Sequence, residues 1–304
     1  MFHVKHLDSF WLNIVDSEVR FTECHFGVKD IKQKDKVKVE RNSMGRIIAI
    51  ANQKGGVGKT TTAINLAACL AEKKHDVLVI DIDPQGNTTS GLGVKKKKLQ
   101  QTIYDMMLGN CTLEQCKTKS VMKNLFVLPA DVELAEAELE LINVENREFI
   151  LKSLIDPVKD EYDFIIIDCP PSLNILTVNA MTTANAVIVP IQCEYYALEG
   201  LSQLLYTINL VKKRLNPNLE IEGIVFTMYD ARTNLSLQVV ENVKKNLNQN
   251  IYKSIIPRNV RLAEAPSHGL PINLYDTKSA GAEGYRQLAD EVIQHGERIW
   301  HYEL

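Results

Sequence analysis

The residues of this chain with the clearest chemical potential lie at positions 54–60, KGGVGKT. The three glycines of this stretch let the backbone pass close to an anionic ligand and turn several N–H groups toward it. Lys59 supplies a positive charge that can reach the β- and γ-phosphates of a nucleotide, and the Thr60 hydroxyl can ligate Mg²⁺. The sequence therefore predicts a phosphate-binding loop.

The segments on either side of this loop must hold it in place. Residues 47–51 are a continuous apolar run typical of a buried strand, and small and apolar residues at helical spacing follow from about Thr60. Strand, glycine loop and helix N-terminus together form the setting that a phosphate loop requires. The loop departs from the general pattern, since Gln53 replaces its first glycine and Lys54 precedes the glycine pair. Two lysines therefore flank one phosphate site.

Acidic residues end two further apolar runs. Residues 77–81 end at Asp81 and are followed by Asp83, and residues 164–167 are followed by Asp168. The carboxyl ends of parallel strands meet at one edge of a sheet, where its ligand binds. Asp168 is therefore expected to support Mg²⁺ together with Thr60. Asp81 and Asp83 are both candidates to hold a Mg²⁺-bound water or to orient the water that attacks the γ-phosphate.

The order of elements along the chain predicts a single α/β domain. Helical patterns alternate with seven apolar runs, at residues 47–51, 77–81, 124–129, 164–167, 186–192, 221–228 and 251–256. Right-handed crossovers between such strands give one mostly parallel sheet covered by helices on both faces, the architecture of a P-loop NTPase. A strongly acidic helix is expected at 132–142.

Composition limits the class of protein. The chain has 304 residues, of which 45% are hydrophobic and 24% are charged, and its net charge is −3. Any nucleic-acid contact must therefore come from a local patch. The six cysteines are scattered, which favours a reducing cytoplasm over a disulfide framework. Cys111 and Cys116 have a C-x₄-C spacing, but no second pair supports a metal site.

The first 43 residues differ from the rest of the chain. They are charged throughout, lack the apolar stretch of a secretory signal, and end in the run KDIKQKDKVKVERNS. We expect residues 1–43 to be a weakly ordered extension and residues 44–304 to form the folded domain. Met44 directly precedes the first strand and is a candidate for the true start of translation.

Several motifs in order resemble one protein family. KGGVGKTTT, VIDIDPQGN, FIIIDCPPSL, YDARTNLS and PRNVRLAEAPSHG are similar to the ParA/MinD ATPases with a deviant Walker A loop, and within them to the ParA/Soj type. The resemblance covers nearly all of residues 44–300. It implies an ATPase with ATP and Mg²⁺ as cofactors. In this family Lys54 would cross a homodimer interface to the partner's nucleotide, and Asp83 would be required for hydrolysis.

The resemblance also implies which residues are catalytic, which lie near the metal ion and which bind the nucleotide. The catalytic residues are Lys54, Lys59 and Asp83, and the residues near Mg²⁺ are Thr60, Asp83 and Asp168. The residues implied to contact the nucleotide are Lys54, Gly55, Gly56, Val57, Gly58, Lys59, Thr60, Thr61, Pro257 and Asn259.

The partners implied are DNA and a centromere-binding protein. The ATP-bound dimer would bind double-stranded DNA non-specifically through Arg232 and Arg261, and a ParB-type protein would stimulate hydrolysis and release. Such phosphate contacts are salt-dependent and indifferent to base sequence. The implied location is the cytoplasm, on the nucleoid and not on a membrane.

The opening MFHVKH can be encoded by the palindrome ATGTTTCACGTGAAACAT, which resembles the parS sites bound by ParB. A misassigned start that reads through such a site is therefore expected.

Two other functions stay open from the sequence. A MinD-like membrane-associated ATPase would share the nucleotide chemistry, but it would end in an amphipathic helix with a basic polar face. The last residues here, EVIQHGERIWHYEL, carry more acidic than basic side chains. A non-hydrolysing DNA-binding scaffold would lack the catalytic set, whereas Lys54, Lys59 and Asp83 are all present.

Overall fold

An eight-stranded sheet forms the centre of the protein. The computed structural model describes residues 45–194 and 197–302. The strands are Arg46–Ile50 (β1), Val77–Asp81 (β2), Thr118–Lys119 (β3), Leu125–Leu128 (β4), Phe164–Asp168 (β5), Ala186–Gln192 (β6), Glu220–Tyr229 (β7) and Ile251–Pro257 (β8). Their order in the sheet is β3-β4-β2-β5-β1-β6-β7-β8. The pairs are parallel except β3 with β4, which adds a short antiparallel strand at one edge.

The sheet is covered on both faces, as its composition predicts. Consecutive residues of β1, from Ile47 to Ile50, are at most 2% exposed, although their side chains alternate between the two faces. Strands buried on both faces are the mark of a parallel sheet with helical crossovers. The predicted fold class, a P-loop-type α/β domain with a mostly parallel sheet, is confirmed.

Twelve α-helices lie between or after the strands within the described residues. They are Lys59–Glu72 (α1), Asn87–Gly91 (α2), Ile103–Met107 (α3), Leu113–Cys116 (α4), Ala137–Glu140 (α5), Ile150–Ile155 (α6), Ile175–Thr183 (α7), Ala197–Arg214 (α8), Asn234–Asn246 (α9), Val260–Glu264 (α10), Ile272–Tyr275 (α11) and Ala280–Tyr302 (α12). One core cluster joins β1 to α1 and α12. This packing fixes the start of α1, and with it the glycine loop.

The acidic segment expected as one helix at 132–142 is broken. It forms the 3-10 turns Val132–Ala135 and Leu141–Asn143 around the single turn α5. Glutamates at 133, 136 and 140 are three and four residues apart, so their like charges repel along one helix face. The prediction of a continuous helix was wrong because periodicity alone does not weigh this repulsion.

Three further predictions concern a part of the chain outside this description. The extension at residues 1–43, its misassigned start through a parS-like site, and the start at Met44 lie outside the described residues. Within those residues, every helix is too short or too polar to cross a bilayer.

A buried ion pair ties the first strand to the last helix. Arg46 Nη2 lies 2.8 Å from Glu222 Oε2, and the Glu222 side chain is fully buried. Arg46 Nη1 also donates to the Val292 carbonyl at 2.8 Å. Burial raises the pKa of Glu222 from 4.5 to about 7, and Arg46 opposes this change only in part.

Glu222 should make the stability of the protein depend on pH. Its folded-state pKa is raised, so its stabilising contribution is complete below pH 4.5 and is lost as the pH rises through about 7. The difference corresponds to roughly 3 kcal/mol of unfolding free energy. Glu222→Gln should therefore flatten the fall in stability over this interval, as measured by urea denaturation.

The exposed Glu241 provides the control for this prediction. Glu241→Gln removes one carboxylate from the surface of α9 and should leave the pH dependence as in the unmodified protein. An unchanged pH dependence in Glu222→Gln would contradict the prediction.

Candidate nucleotide-binding site

The glycine loop lies between β1 and α1 and is shaped to hold an anion. Gly56 and Gly58 have φ angles of 75° and 90°, in the left-handed region that favours glycine. A Cβ added at Gly55 or Gly56 would meet no other atom within 4 Å, so the loop faces open space there. On its other side, Thr227 Oγ1 donates to the Val57 carbonyl at 2.8 Å and fixes the loop to β7. The loop therefore presents backbone N–H groups at the N-terminus of a 14-residue helix.

The two lysines of the loop point to different places. Lys59 is 6% exposed, and its ammonium donates to the Lys54 carbonyl at 3.0 Å, inside the loop. The Lys54 side chain is one-third exposed and pairs with Glu194 Oε2 at 3.2 Å. Burial lowers the pKa of Lys59, while Asp168 and Asp83 partly offset this effect. A phosphate in the loop would add negative charge and favour the charged lysine further.

Asp168, at the end of β5, is the centre of a buried polar cluster. Thr60 Oγ1 and Thr88 Oγ1 donate to Asp168 Oδ2 at 2.8 and 2.7 Å. Asp168 Oδ1 is buried and has no hydrogen-bond partner. Burial, together with the neighbouring Asp81 carboxylate, raises the pKa of Asp168. A cation at this place would stabilise the ionised Asp168 carboxylate and would interact favourably with its unpaired Oδ1 atom.

The cluster fits Mg²⁺ only with ligands from the nucleotide. Among the described residues, no three His, Cys, Asp or Glu side chains are grouped to hold a metal ion by themselves. Mg²⁺ commonly keeps several waters and takes few protein ligands plus phosphate oxygens. Thr60 as a ligand, with Asp168 acting through water, meets this requirement.

Asp81 is the last residue of β2, and Asp83 lies two residues further along the chain; the two make different contacts. Asp81 lies opposite Asp168 in the register of β2 and β5. Its Oδ2 accepts from both the N–H and the hydroxyl of Thr89 at 2.7 Å, so its hydrogen bonds hold the start of α2. Asp83 is 8% exposed, and its Oδ1 accepts from the Gln85 N–H at 2.9 Å. Asp83 therefore lies beyond the strand, electrostatically coupled to Lys59.

A cavity of about 340 Å³ adjoins the glycine loop. Its lining includes Gly58 and Thr61, from the loop and the start of α1, and also Pro257, the last residue of β8, and Asn259 two residues later. Its volume is in the range of small-ligand pockets. The structure therefore brings the two residues predicted to edge the adenine to the same cavity as the loop.

The two predicted DNA-contact arginines are exposed and already paired. The Arg232 side chain is 85% exposed, and its Nε and Nη2 donate to the two carboxylate oxygens of Asp230 at 2.8 and 2.7 Å. The Arg261 side chain is 51% exposed and pairs with Glu264 at 2.8 Å and with Asp276 at 3.5 Å. Arg232 follows β7, and Arg261 follows β8, the neighbouring strand.

Sequence reasoning missed three residues that shape this site. Thr88 supports Asp168, Thr227 anchors the loop, and Glu194 holds Lys54. Thr88 directly follows the VIDIDPQGN motif, so extending that motif by one residue would have included it. Thr227 and Glu194 are far from the loop in sequence and carry no local signal.

The sequence of this chain is similar to those of known proteins. Residues 45–221 match a family model described as an AAA domain. The sporulation initiation inhibitor protein Soj of Bacillus subtilis (strain 168) is 57% identical over 253 residues, which cover 83% of this chain and 100% of that protein. The chromosome partitioning protein ParA of Myxococcus xanthus (strain DK1622) is 53% identical over 252 residues, covering 83% and 89%. The chain belongs to the ParA/Soj family.

A solved structure related to this ParA/Soj-family chain holds a nucleotide. Cobyrinic acid a,c-diamide synthase from Mycobacterium smegmatis, with bound ADP and magnesium, matches with a TM-score of 0.75 at 37% identity. The match covers 84% of this chain and 96% of that one. The predicted family is thus confirmed, and the roles of individual residues stay predictions.

Proposed function

We propose that this protein is a Mg²⁺-dependent ATPase that closes into a homodimer on ATP, binds double-stranded DNA non-specifically, and partitions chromosomal or plasmid DNA with a ParB-type protein. The observation that carries the proposal is that the ammonium groups of the two loop lysines have different partners. Lys59 turns into its own loop, whereas Lys54 projects from it toward Glu194 at the surface. One lysine can bind the phosphates of its own protomer, and the other can meet the nucleotide of a second protomer.

Within one protomer, the loop would bind the triphosphate and prepare it for attack. The loop N–H groups and Lys59 hold the β- and γ-phosphate oxygens. Thr60 and, through water, Asp168 would hold Mg²⁺, which would supply positive charge to neutralise the phosphate oxygens. Asp83 orients a water for in-line attack on the γ-phosphorus. The bond from that phosphorus to the bridging oxygen breaks, giving ADP and phosphate.

The adenine would occupy the cavity beside the loop. Because Gly58 and Thr61 line this cavity, it lies next to the glycine loop, and Pro257 and Asn259 also contribute to its lining. An apolar wall with few polar groups suits the flat face of a purine.

Dimer closure requires Lys54 to exchange one anion for another. Both members of its pair with Glu194 are partly exposed, at 33% and 44%. Such surface pairs contribute at most about 1 kcal/mol. A γ-phosphate carries more negative charge than a carboxylate, so Lys54 can move to the partner's nucleotide at little cost and add charge there.

DNA binding would use the same kind of exchange. Arg232 and Arg261 lie after adjacent strands at one edge of the sheet, where a phosphate can replace their carboxylate partners. A dimer presents each arginine twice, and two weak patches on one rigid body bind far more tightly than one. ATP-dependent dimerisation would thereby control DNA affinity.

The last helix argues against the MinD-like alternative. Tyr285, Leu288, Ala289 and Val292 of α12 are at most 1% exposed and belong to the main core cluster. The Glu291 carboxylate accepts from the backbone N–H groups of Lys253 and Ser254 at 2.8 and 2.7 Å. The apolar face of this helix as far as Val292 is therefore used inside the fold, whereas membrane binding needs such a face at the surface.

The central test measures ATP hydrolysis with and without non-specific DNA and a ParB-type partner. We expect slow hydrolysis by the protein alone and faster hydrolysis when both are added. Sedimentation with a non-hydrolysable ATP analogue should show a dimer. A protein that stays monomeric at saturating nucleotide would overturn the dimer mechanism.

Removal of the two arginines should weaken DNA binding without affecting the dimer. Arg232→Ala with Arg261→Ala should lower affinity roughly tenfold or more and reduce the log–log salt slope by about 0.9 for each DNA phosphate that is no longer neutralised. DNA affinity is measured by fluorescence anisotropy over a salt series, and the dimer by sedimentation with the ATP analogue. Loss of the dimer would mean that the two arginines have a structural role.

Two matched variants sharpen this test. Lys119→Ala removes an exposed cation from β3, at the opposite edge of the sheet from β8, and should leave DNA affinity unchanged. Asp230→Asn removes the carboxylate that competes for Arg232 and should strengthen DNA binding.

A further inference from the structure

Cys111 and Cys116 flank the start of α4, whose position is fixed by hydrogen bonds. Thr112 caps α4, and its N–H donates to Gln115 Oε1 at 2.9 Å. The Gln115 N–H donates in return to Thr112 Oγ1 at 3.4 Å. This reciprocal pair is a capping box, which sets the direction in which the chain enters the helix.

The capping box brings the two cysteines together. Counted from the Thr112 cap, Cys111 is the residue before the cap and Cys116 is the fourth residue of the helix. Side chains at these two positions pack against each other across a capped helix start. Burial raises the pKa of both thiols, and each thiol also affects the pKa of the other, as neighbouring side chains do: Cys111 raises the pKa of Cys116 further, whereas Cys116 lowers that of Cys111. The C-x₄-C spacing in the sequence thus corresponds to two neighbouring side chains at one capped helix start.

The two thiols differ in access to solvent. Cys116 is 1% exposed, whereas Cys111 is partly exposed. The other cysteines within the described residues, Cys69, Cys169 and Cys193, are buried. An incoming reagent therefore reaches Cys111 first, and Cys116 is already in position behind it.

We propose that Cys111 and Cys116 are a redox-active pair that closes into a reversible intramolecular disulfide by exchange with a small-molecule disulfide. The Cys111 thiolate attacks one sulfur of the reagent, forming a mixed disulfide and releasing one thiolate, which takes up a proton. Cys116 then loses its proton and attacks Cys111 sulfur, releasing the second small thiol. The small disulfide is reduced to two thiols, and the two cysteines are oxidised to one disulfide.

The surroundings of the pair set the speed of this exchange. Partial burial and the Asp105 carboxylate raise the pKa of Cys111. The thiolate is the attacking species, so the exchange is slow at neutral pH and accelerates as the pH rises. The pair therefore responds to a sustained change in thiol–disulfide balance and not to a brief pulse of oxidant.

The consequence for the fold is local. Lys117, the residue after α4, lies over the rings of Phe126 and Tyr162, and β3 begins directly after it at Thr118. A disulfide across the start of α4 would limit the motion of this turn and of the edge strand attached to it. The nucleotide site lies elsewhere, at the glycine loop.

The test uses the full-length protein with oxidised glutathione as the probe. After incubation, free thiols are counted under denaturing conditions, and peptide mass mapping locates any disulfide. We expect the six thiols of the chain to fall to four, with the bond between Cys111 and Cys116, and dithiothreitol to restore all six. The rate of loss should increase with pH.

Two variants separate the pair from the other thiols. Cys116→Ser should stop at a glutathione adduct on Cys111, because no second thiol can displace the glutathione. Cys69→Ser should still form the internal disulfide. Retention of all thiols, a stable adduct on Cys111 in the unmodified protein, or a disulfide between other cysteines would overturn the proposal.

Discussion

Lys59→Ala is expected to reduce ATP affinity roughly a hundredfold or more. Lys59 is 6% exposed and lies inside the glycine loop, so its ammonium would meet the phosphates in a largely desolvated setting. Removal of one partner from a buried charge pair costs about 2–5 kcal/mol, and each 1.4 kcal/mol corresponds to a tenfold change in affinity. Isothermal titration calorimetry with Mg-ATP measures the change directly.

Two lysine variants show whether this loss is specific. Lys73→Ala alters the residue that follows α1, where the side chain pairs at the surface with Asp290, and should leave ATP affinity unchanged. Lys54→Ala should retain ATP binding by the monomer but lose the ATP-dependent dimer and hydrolysis. If Lys59→Ala bound ATP normally, the assignment of the phosphate loop would be wrong.

Asp83→Ala is expected to lower ATP hydrolysis by about 10²–10⁴-fold, the usual contribution of a residue that positions or activates a reacting water. ATP binding should persist, because the loop N–H groups and Lys59 are intact. The variant should therefore accumulate as an ATP-bound dimer that stays on DNA. A phosphate-release assay measures turnover, and DNA dissociation is followed after removal of free ATP.

Asp83→Asn separates the chemistry from the structure of the loop. Asparagine keeps an oxygen that can accept from the Gln85 N–H, which lies 2.9 Å from Asp83 Oδ1. It removes the negative charge. If Asp83 acts on the attacking water, both variants lose turnover; recovery of turnover in Asp83→Asn would assign Asp83 a structural role only.

The sequence predicted the parts of the fold that depend on local pattern. Apolar runs located seven of the eight strands, and the acidic residue at the end of β5 lies beside the loop as expected, with Asp168 in contact with Thr60. These predictions succeeded because strand burial and glycine geometry depend on neighbouring residues. The two-residue strand β3 has no such pattern and was not predicted.

Contacts between distant segments could not be predicted in the same way. Thr227 is 170 residues from the Val57 carbonyl that it contacts, and Glu194 is 140 residues from Lys54. Only the folded sheet brings β6 and β7 next to the loop. The pairing of Arg261 with Asp276 is another case, since nothing in the segment between them indicates that they meet.

The cavity and one of the arginines share a single short segment. Pro257 and Asn259 line the cavity, and the Asn259 side-chain oxygen accepts from the Arg261 N–H at 2.8 Å. A ligand that moves Asn259 therefore acts on the backbone of Arg261 through one hydrogen bond. Free-energy coupling between two binding sites is reciprocal. If ATP increases the affinity of Arg261 for DNA as proposed, DNA increases the affinity of the protein for ATP by the same factor, and a long DNA molecule would itself retain the nucleotide-bound form.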